Sequence, residues 1–369
     1  MEVKPAPYET ILTSRRCPNY KMLANVHINK TRETAIANTS DLPGVVIYTD
    51  GSGFGHGIGA AAIMVKNGTT IRRLKYFLGS DLKHTVYEAK ALAIFLALHM
   101  ASNIKEPRTQ LTIGMDNQAV LLGMKNQRSK PSHYLLDKIH NSLETLQVTQ
   151  ATLRGIHIKG YRKGKGQMKR TNGSTGWKDW KLKQRCKVMF VWTPGHEGIS
   201  GNKIADEEAK LAAQGESSPP HDLPTFLCKK PLPVSISATC QRLNKDTKLR
   251  WSSEWFTSPH HEGSKEIDDS LPSADYLHII DQLSRNKASL LTQFRTGHVP
   301  LNETLFQIKR VPSPDCPHCG LWIKETIFHF LLACPRYTYI RGKLLLTLNQ
   351  YIVSIPFLLG NPISIPHFL

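Results

Sequence analysis

The chain has 369 residues, and 48 Lys plus Arg against 29 Asp plus Glu give a formal charge of +19 and a pI near 9.6. Hydrophobic residues at 40% and charged residues at 21% exclude wholesale disorder and a collagen-like or coiled-coil fibre. No run of about 18 uninterrupted apolar residues exists, and the N-terminus MEVKPAPYETIL lacks a basic-then-apolar signal peptide. An intracellular protein, nuclear or cytoplasmic, with an anionic partner and no membrane contact is expected.

Residues 1–42 read as an extension or linker. VVIYTD (45–50) is a short β-branched run expected to be a buried strand. IGAAAIMV (58–65) and TTIRRLKYFLG (69–79) follow as two more strands, and Asn67-Gly68 between them is a strong hairpin signal. From His84 to Asn103 the period turns helical, with Val86, Ala89, Ala93, Leu96, Ala97 and Met100 at three- and four-residue intervals. LTIGM (111–115) is a fourth strand, 132–147 a second helix, KVMFVWT (187–193) a fifth strand and NKIADEEAKLAA (202–213) a last helix. This order predicts an α/β domain over 43–214, a mixed five-stranded sheet flanked by helices. Five prolines between Gln214 and Ile236 predict a linker over 215–238. Residues 239–369 read as a mostly helical module.

Asp50 and Asp116 each follow an apolar strand, and functional groups gather beyond the carboxyl ends of parallel strands. If the first and fourth strands are neighbours, the two carboxylates face each other. Glu88 starts the first long helix and Asp206 lies in the last. Four converging acids would repel unless divalent cations neutralise them, and Mg²⁺ suits such oxygen ligands. Two such ions could serve phosphodiester hydrolysis. Each acid has another reading. Asp50-Gly51-Ser52-Gly53 also fits a turn, Thr85-Val86-Tyr87-Glu88 also fits a capping box, and Asp206 also fits a surface acid beside Glu207 and Glu208.

Residues 154–187 hold twelve Lys/Arg and one acid, Asp179, and so carry +11 of the +19. GYRKGKGQMKRTNGSTG within this insertion is Gly-rich and aperiodic, so a loop is expected. Lys163, Lys165, Lys169 and Arg170 could neutralise phosphates while Trp177 and Trp180 stack on bases. A solvated charged loop is the other reading.

Of seven cysteines, Cys316, Cys319 and Cys334 cluster, and with His329 they form C-x₂-C-x₉-H-x₄-C. That set can complete one tetrahedral structural zinc site over 316–334. His318 is an alternative ligand, less suited because it sits between the two cysteines.

YTDGSG around Asp50, TVYEAKALAIFLAL around Glu88, IGMDNQAV around Asp116 and WTPGHEGISGNKIADEEAK together resemble type 1 ribonuclease H. The resemblance implies a ribonuclease H-like fold. It also implies Asp50, Glu88, Asp116 and Asp206 as ligands of two Mg²⁺ ions (Mn²⁺ able to substitute), His196 as a mobile catalytic histidine, and Asn202 as a contact to nucleic acid. The implied substrate is an RNA–DNA hybrid, hydrolysed in its RNA strand. Residues 290–337 resemble the zinc-binding tail of fungal non-LTR retrotransposon polyproteins, and NVHINKTRETAIANTS resembles the linker preceding their ribonuclease H domain. No Tyr-x-Asp-Asp polymerase motif occurs. The first expectation is therefore a retroelement-derived hybrid endoribonuclease. A catalytically silent nucleic-acid-binding relic is the alternative, and a transposase or integrase of the same fold a third. For that third reading the nearest later glutamate, Glu144, stands 28 residues after Asp116.

Overall fold

The computed structural model describes residues 7–12, 16, 20–39, 42, 44–108, 110–126, 128–154, 186–195, 199–265, 267–268, 270–273, 275–349 and 353–368. The chain divides into two compact units, Met1–Asn244 and Lys245–Leu369.

Alternation of buried side chains organises the first unit. Along β2 (Val45–Phe54), Val45 and Ile47 belong to one core cluster and Val46 and Tyr48 to another, so both faces of the strand are covered. β3 (Gly57–Lys66) and β4 (Thr69–Ser80) continue the antiparallel meander, turning at Asn67-Gly68, where both residues have positive φ. On one face lies α2 (Val86–Ser102), an almost wholly buried helix. On the other lies α5 (Ser200–Ala213), against which Gly57 and Gly59 pack so closely that a Cβ would strike the backbone of Ala212 and Ala213. β5 (Gln110–Met115) runs parallel to β2, and β6 (Lys187–Trp192) runs parallel to β5. α3 (Gln118–Lys125) and α4 (His133–Leu153) complete the α2 side.

The sheet has six strands rather than the expected five. Asn25–His27, expected in the linker, is a parallel edge strand (β1) on β6, giving the order β1-β6-β5-β2-β3-β4. Three residues carry too little pattern for a period to register. α1 (Arg32–Thr39) follows it.

The Pro-rich stretch, expected to be a spacer, is docked on the first unit. Leu223, Leu227 and Leu232 are buried in the main core, and Thr225–Lys229 is a short helix. Ser217 and Ser218 accept hydrogen bonds from the Phe77 and Lys75 amides of edge strand β4, both at 2.9 Å. Buried Glu9 accepts from the amides of Ser132 and Ile236, fastening the N-terminal segment as well.

The second unit is helical, as expected. Its core joins Leu291, Phe294, Val299, Leu301, Leu358, Leu359 and Ile365. Arg295, in the helix Arg285–Thr296, pairs with Asp268 at 2.5 Å and donates to the Leu359 carbonyl at 2.8 Å. No helix among the described residues is long and apolar enough to cross a membrane.

Candidate active site

The register brings Asp50 and Asp116 together. Thr49 pairs with Met115 in the parallel β2–β5 ladder, so the two aspartates follow side by side. Asp50 does not begin a turn. β2 stays paired with β3 through Phe54, and the chain reverses at Gly55-His56, both with positive φ. Asp116 ends its strand, and the next residue, Asn117, caps α3 by accepting from the Val120 amide at 3.0 Å.

The space between these carboxylates holds the ammonium of Lys90, in α2. Its Nζ donates to Asp50 Oδ1 at 2.7 Å and to both oxygens of Asp116 at 2.6 Å. All three side chains are largely sheltered, at 12%, 10% and 23% exposure for Lys90, Asp50 and Asp116. The close approach comes from Gly51. A Cβ there would lie 2.4 Å from the Lys90 backbone nitrogen and 2.7 Å from Ala89 Cβ, so only glycine lets β2 lie this near α2. Burial and the Asp116 charge push the Asp50 carboxyl up to about 6, opposed by Lys90 and the Gly51 amide. Burial alone would lower the Lys90 pKa, but the two carboxylates outweigh it and raise it, so the ammonium stays charged.

Glu88 is not part of this cluster, contrary to the expectation. Its Oε2 accepts from the Thr85 amide at 2.8 Å while Thr85 Oγ1 accepts from the Glu88 amide at 3.3 Å, a complete capping box in a fully buried setting. The reason is helical geometry: residues two apart project about 200° from each other, so Glu88 and Lys90 cannot face the same cleft. Asp206 pairs with Lys210 at 2.7 Å along α5. Asn202, expected to touch nucleic acid, is 7% exposed and accepts a 3.5 Å hydrogen bond from Thr193. Glu144 pairs with Arg16 at 3.6 Å. Gly195 borders Asp116, a Cβ there standing 3.6 Å from Asp116 Oδ2, and Arg32 donates to the Gly195 carbonyl at 2.7 Å. His196 lies outside the described residues, as do Lys163, Lys165, Lys169, Arg170, Trp177 and Trp180.

The expected ligands of two divalent ions therefore do not fit that group as they stand. Among the described residues no three acids of this cleft lie close enough to share an ion, and a cation from the chain itself fills the position between the aspartate pair. Lys90 escaped the sequence reading. Its signal was a lone cation in an otherwise apolar helix, two residues beyond the acid that drew attention.

In the second unit the four expected zinc ligands do converge. One ligand atom from each of Cys316, Cys319, His329 and Cys334 lies within 4.8 Å of the others. Cys316 and Cys334 sulfurs are 3.9 Å apart, and Cys319 Sγ is 3.5 Å from His329 Nε2. Zn–S bonds of about 2.3 Å set a tetrahedral S···S edge of about 3.8 Å, so these residues fit zinc. A hairpin-like bridge between Asp315 and Lys324 presents the first two cysteines, and the irregular turn His329–Ala333 presents the last two ligands. His318 packs edge-on to Tyr337 instead.

Comparisons with known proteins found similar solved structures and one family model. Solved structures similar to this chain include RNase H1 from Halobacterium salinarum, at 15% identity and TM-score 0.27, covering 47% of this chain and 98% of that one. The N-terminal RNase H domain of a Mycobacterium tuberculosis protein, solved as a maltose-binding-protein fusion, is 18% identical over 47% and 99%, TM-score 0.27. LC11-RNase H1 in complex with RNA/DNA hybrid is 17% identical over 46% and 97%, TM-score 0.28. No curated protein matches the chain. Residues 43–214 match the RNase H family model, and the six-stranded mixed sheet with its flanking helices is an RNase H-like fold.

Proposed function

We propose that this chain is a nucleic-acid-binding protein whose RNase H domain recognises RNA–DNA hybrid without cutting it, and whose C-terminal unit holds one structural Zn²⁺. The family match over 43–214 supports the choice of ligand, and the net charge of +19 supports a polyanion. The silence rests on one observation, the Lys90 ammonium bonded to Asp50 and Asp116. The RNase H family uses divalent metal ions, and here a side-chain cation occupies the position between the paired aspartates. Cys316, Cys319, His329 and Cys334 would fasten the hairpin 315–324 to the following helical turn, zinc supplying folding energy to that segment. A retroelement origin is supported by the order of the two parts, RNase H segment first and Cys₃His module after it. Six free cysteines among the described residues suit a reducing intracellular compartment.

A specific observation favours a second reading, hydrolysis of the RNA strand of the hybrid. Asp50 and Asp116 are adjacent, and Gly195, the residue before His196, abuts Asp116. Labelled hybrid, duplex DNA and duplex RNA, each titrated with the full chain in chelator and then in Mg²⁺, decide the matter. Preferential binding of hybrid, with the RNA strand intact in Mg²⁺, is expected. Cutting by the wild type that Asp116→Asn abolishes would establish the second reading, and equal or absent binding of all three duplexes would overturn both.

A further inference from the structure

We infer that Lys90 is a resident cation standing in for divalent metal in the RNase H cleft, and that its removal creates a metal site there. The inference rests on the reading of 43–214 as an RNase H domain, but not on hybrid binding.

Position 90 is the α2 residue that the fold holds against the aspartate pair. The missing Cβ of Gly51 lets β2 reach the Lys90 backbone, so whatever side chain stands at 90 starts beside Asp50. Lysine at this position spans both carboxylates with three short hydrogen bonds. A divalent ion entering the cleft meets a tethered competitor that dilution cannot remove. It would also have to share the sheltered space with an ammonium or expel it, and like charges at such separations repel strongly. The neighbouring acids offer no relief: Glu88 is committed to the α2 cap and Asp206 to Lys210.

With lysine gone the arithmetic of charge reverses. Two aspartates sheltered from water would face each other uncompensated, the setting in which a hard cation with oxygen preference binds. A glutamate at 90 would add a third carboxylate from the same helix position. The thiolate-rich Cys316 cluster does not compete, because soft sulfur ligands do not select Mg²⁺.

The test is calorimetric titration of Mg²⁺ into zinc-loaded full-length protein without nucleic acid, comparing wild type with Lys90→Ala and Lys90→Glu. Wild type is expected to show no saturable binding in the millimolar range, whereas each variant binds at least about tenfold more tightly. Asp116→Asn in the Lys90→Ala background should abolish the gain. If Lys90→Glu does not fold, Lys90→Ala and Lys90→Met carry the comparison. Wild type binding Mg²⁺ as tightly as the variants, or variants binding no better than wild type, would overturn the inference. Hybrid binding in chelator is measured separately, so failure of the proposed function and failure of the resident cation are distinguishable.

Discussion

Replacing Lys90 with Met keeps the length and apolar stem of the side chain and deletes its charge. Asp50 and Asp116 each lie within 2.7 Å of the ammonium, so the nearest carboxylate oxygens are no more than about 5.3 Å apart, the sum of the two distances. At an effective dielectric constant of about 20, their repulsion in the variant comes to about 3 kcal/mol. That agrees with the 3–5 kcal/mol typical of removing one partner from a buried ion pair. The loss depends on pH. The folded Asp50 carboxyl is already pushed up to about 6 by burial and Asp116, above its unfolded value of about 3.9. Its contribution to stability is therefore fully present below the unfolded value and lost as pH rises through the folded one. Without Lys90 the folded value moves higher still. At pH 5 Asp50 is mostly protonated in both proteins and the variant loses only the Lys90–Asp116 pair, whereas at pH 8 the Asp50–Asp116 repulsion should add about 3 kcal/mol to that loss. Urea unfolding followed by far-ultraviolet circular dichroism at both pH values measures this. A loss equal at pH 5 and pH 8, or none at pH 8, would refute the argument.

Glu88→Gln should cost no more than the usual 0.5–2 kcal/mol of a helix cap and leave hybrid affinity unchanged, because Glu88 faces Thr85; a large fall in affinity would place it in the cleft after all. Gly51→Ala should destabilise the first unit by 1–3 kcal/mol or more through overpacking, since the added methyl meets the backbone of Ala89 and Lys90; unchanged thermal unfolding would contradict the close approach. Cys319→Ser should lower bound zinc from one per chain to none by metal analysis, leaving hybrid binding by the first unit intact. Deleting 160–183 should flatten the dependence of log K on log[salt] by roughly 3–4 units if four of its cations touch phosphates; an unchanged slope would mean that this segment is merely solvated.

Strand and helix types were legible in the sequence wherever an apolar run or period was long enough to stand above local composition. The meander from Val45 to Ser80 and the buried helix Val86–Ser102 followed from alternation and three-four spacing. Asn25–His27 and Gln118–Lys125 did not, because a three-residue edge strand and a two-turn helix are too short for periodicity to rise above local composition. The pairing of Asp50 with Asp116 was legible, since two apolar strands ending in acids need only be parallel neighbours. The placement of Glu88 was half legible: Thr85 to Glu88 spelled a capping box, and the competing metal role prevailed because three other acids and their surrounding motifs matched a family pattern. What sequence spacing left open was which face of the helix meets the cleft, and that is fixed by a strand glycine 39 residues away. The Cys₃His set was readable outright, because ligand chemistry constrains spacing in a way that helical phase does not.

The serine pair that follows α5 has a consequence for modularity. Ser217 and Ser218 lie just past the last residue of the family match, yet their hydroxyls occupy two outward amides of edge strand β4, and the Ser218 amide donates to the Lys75 carbonyl. A chain ending at 214 would keep every residue of the matched domain and leave that strand an open template, ready to zip onto a second copy. The functional border of this domain is thus set by where its last strand becomes unable to recruit another, several residues beyond where its homology stops.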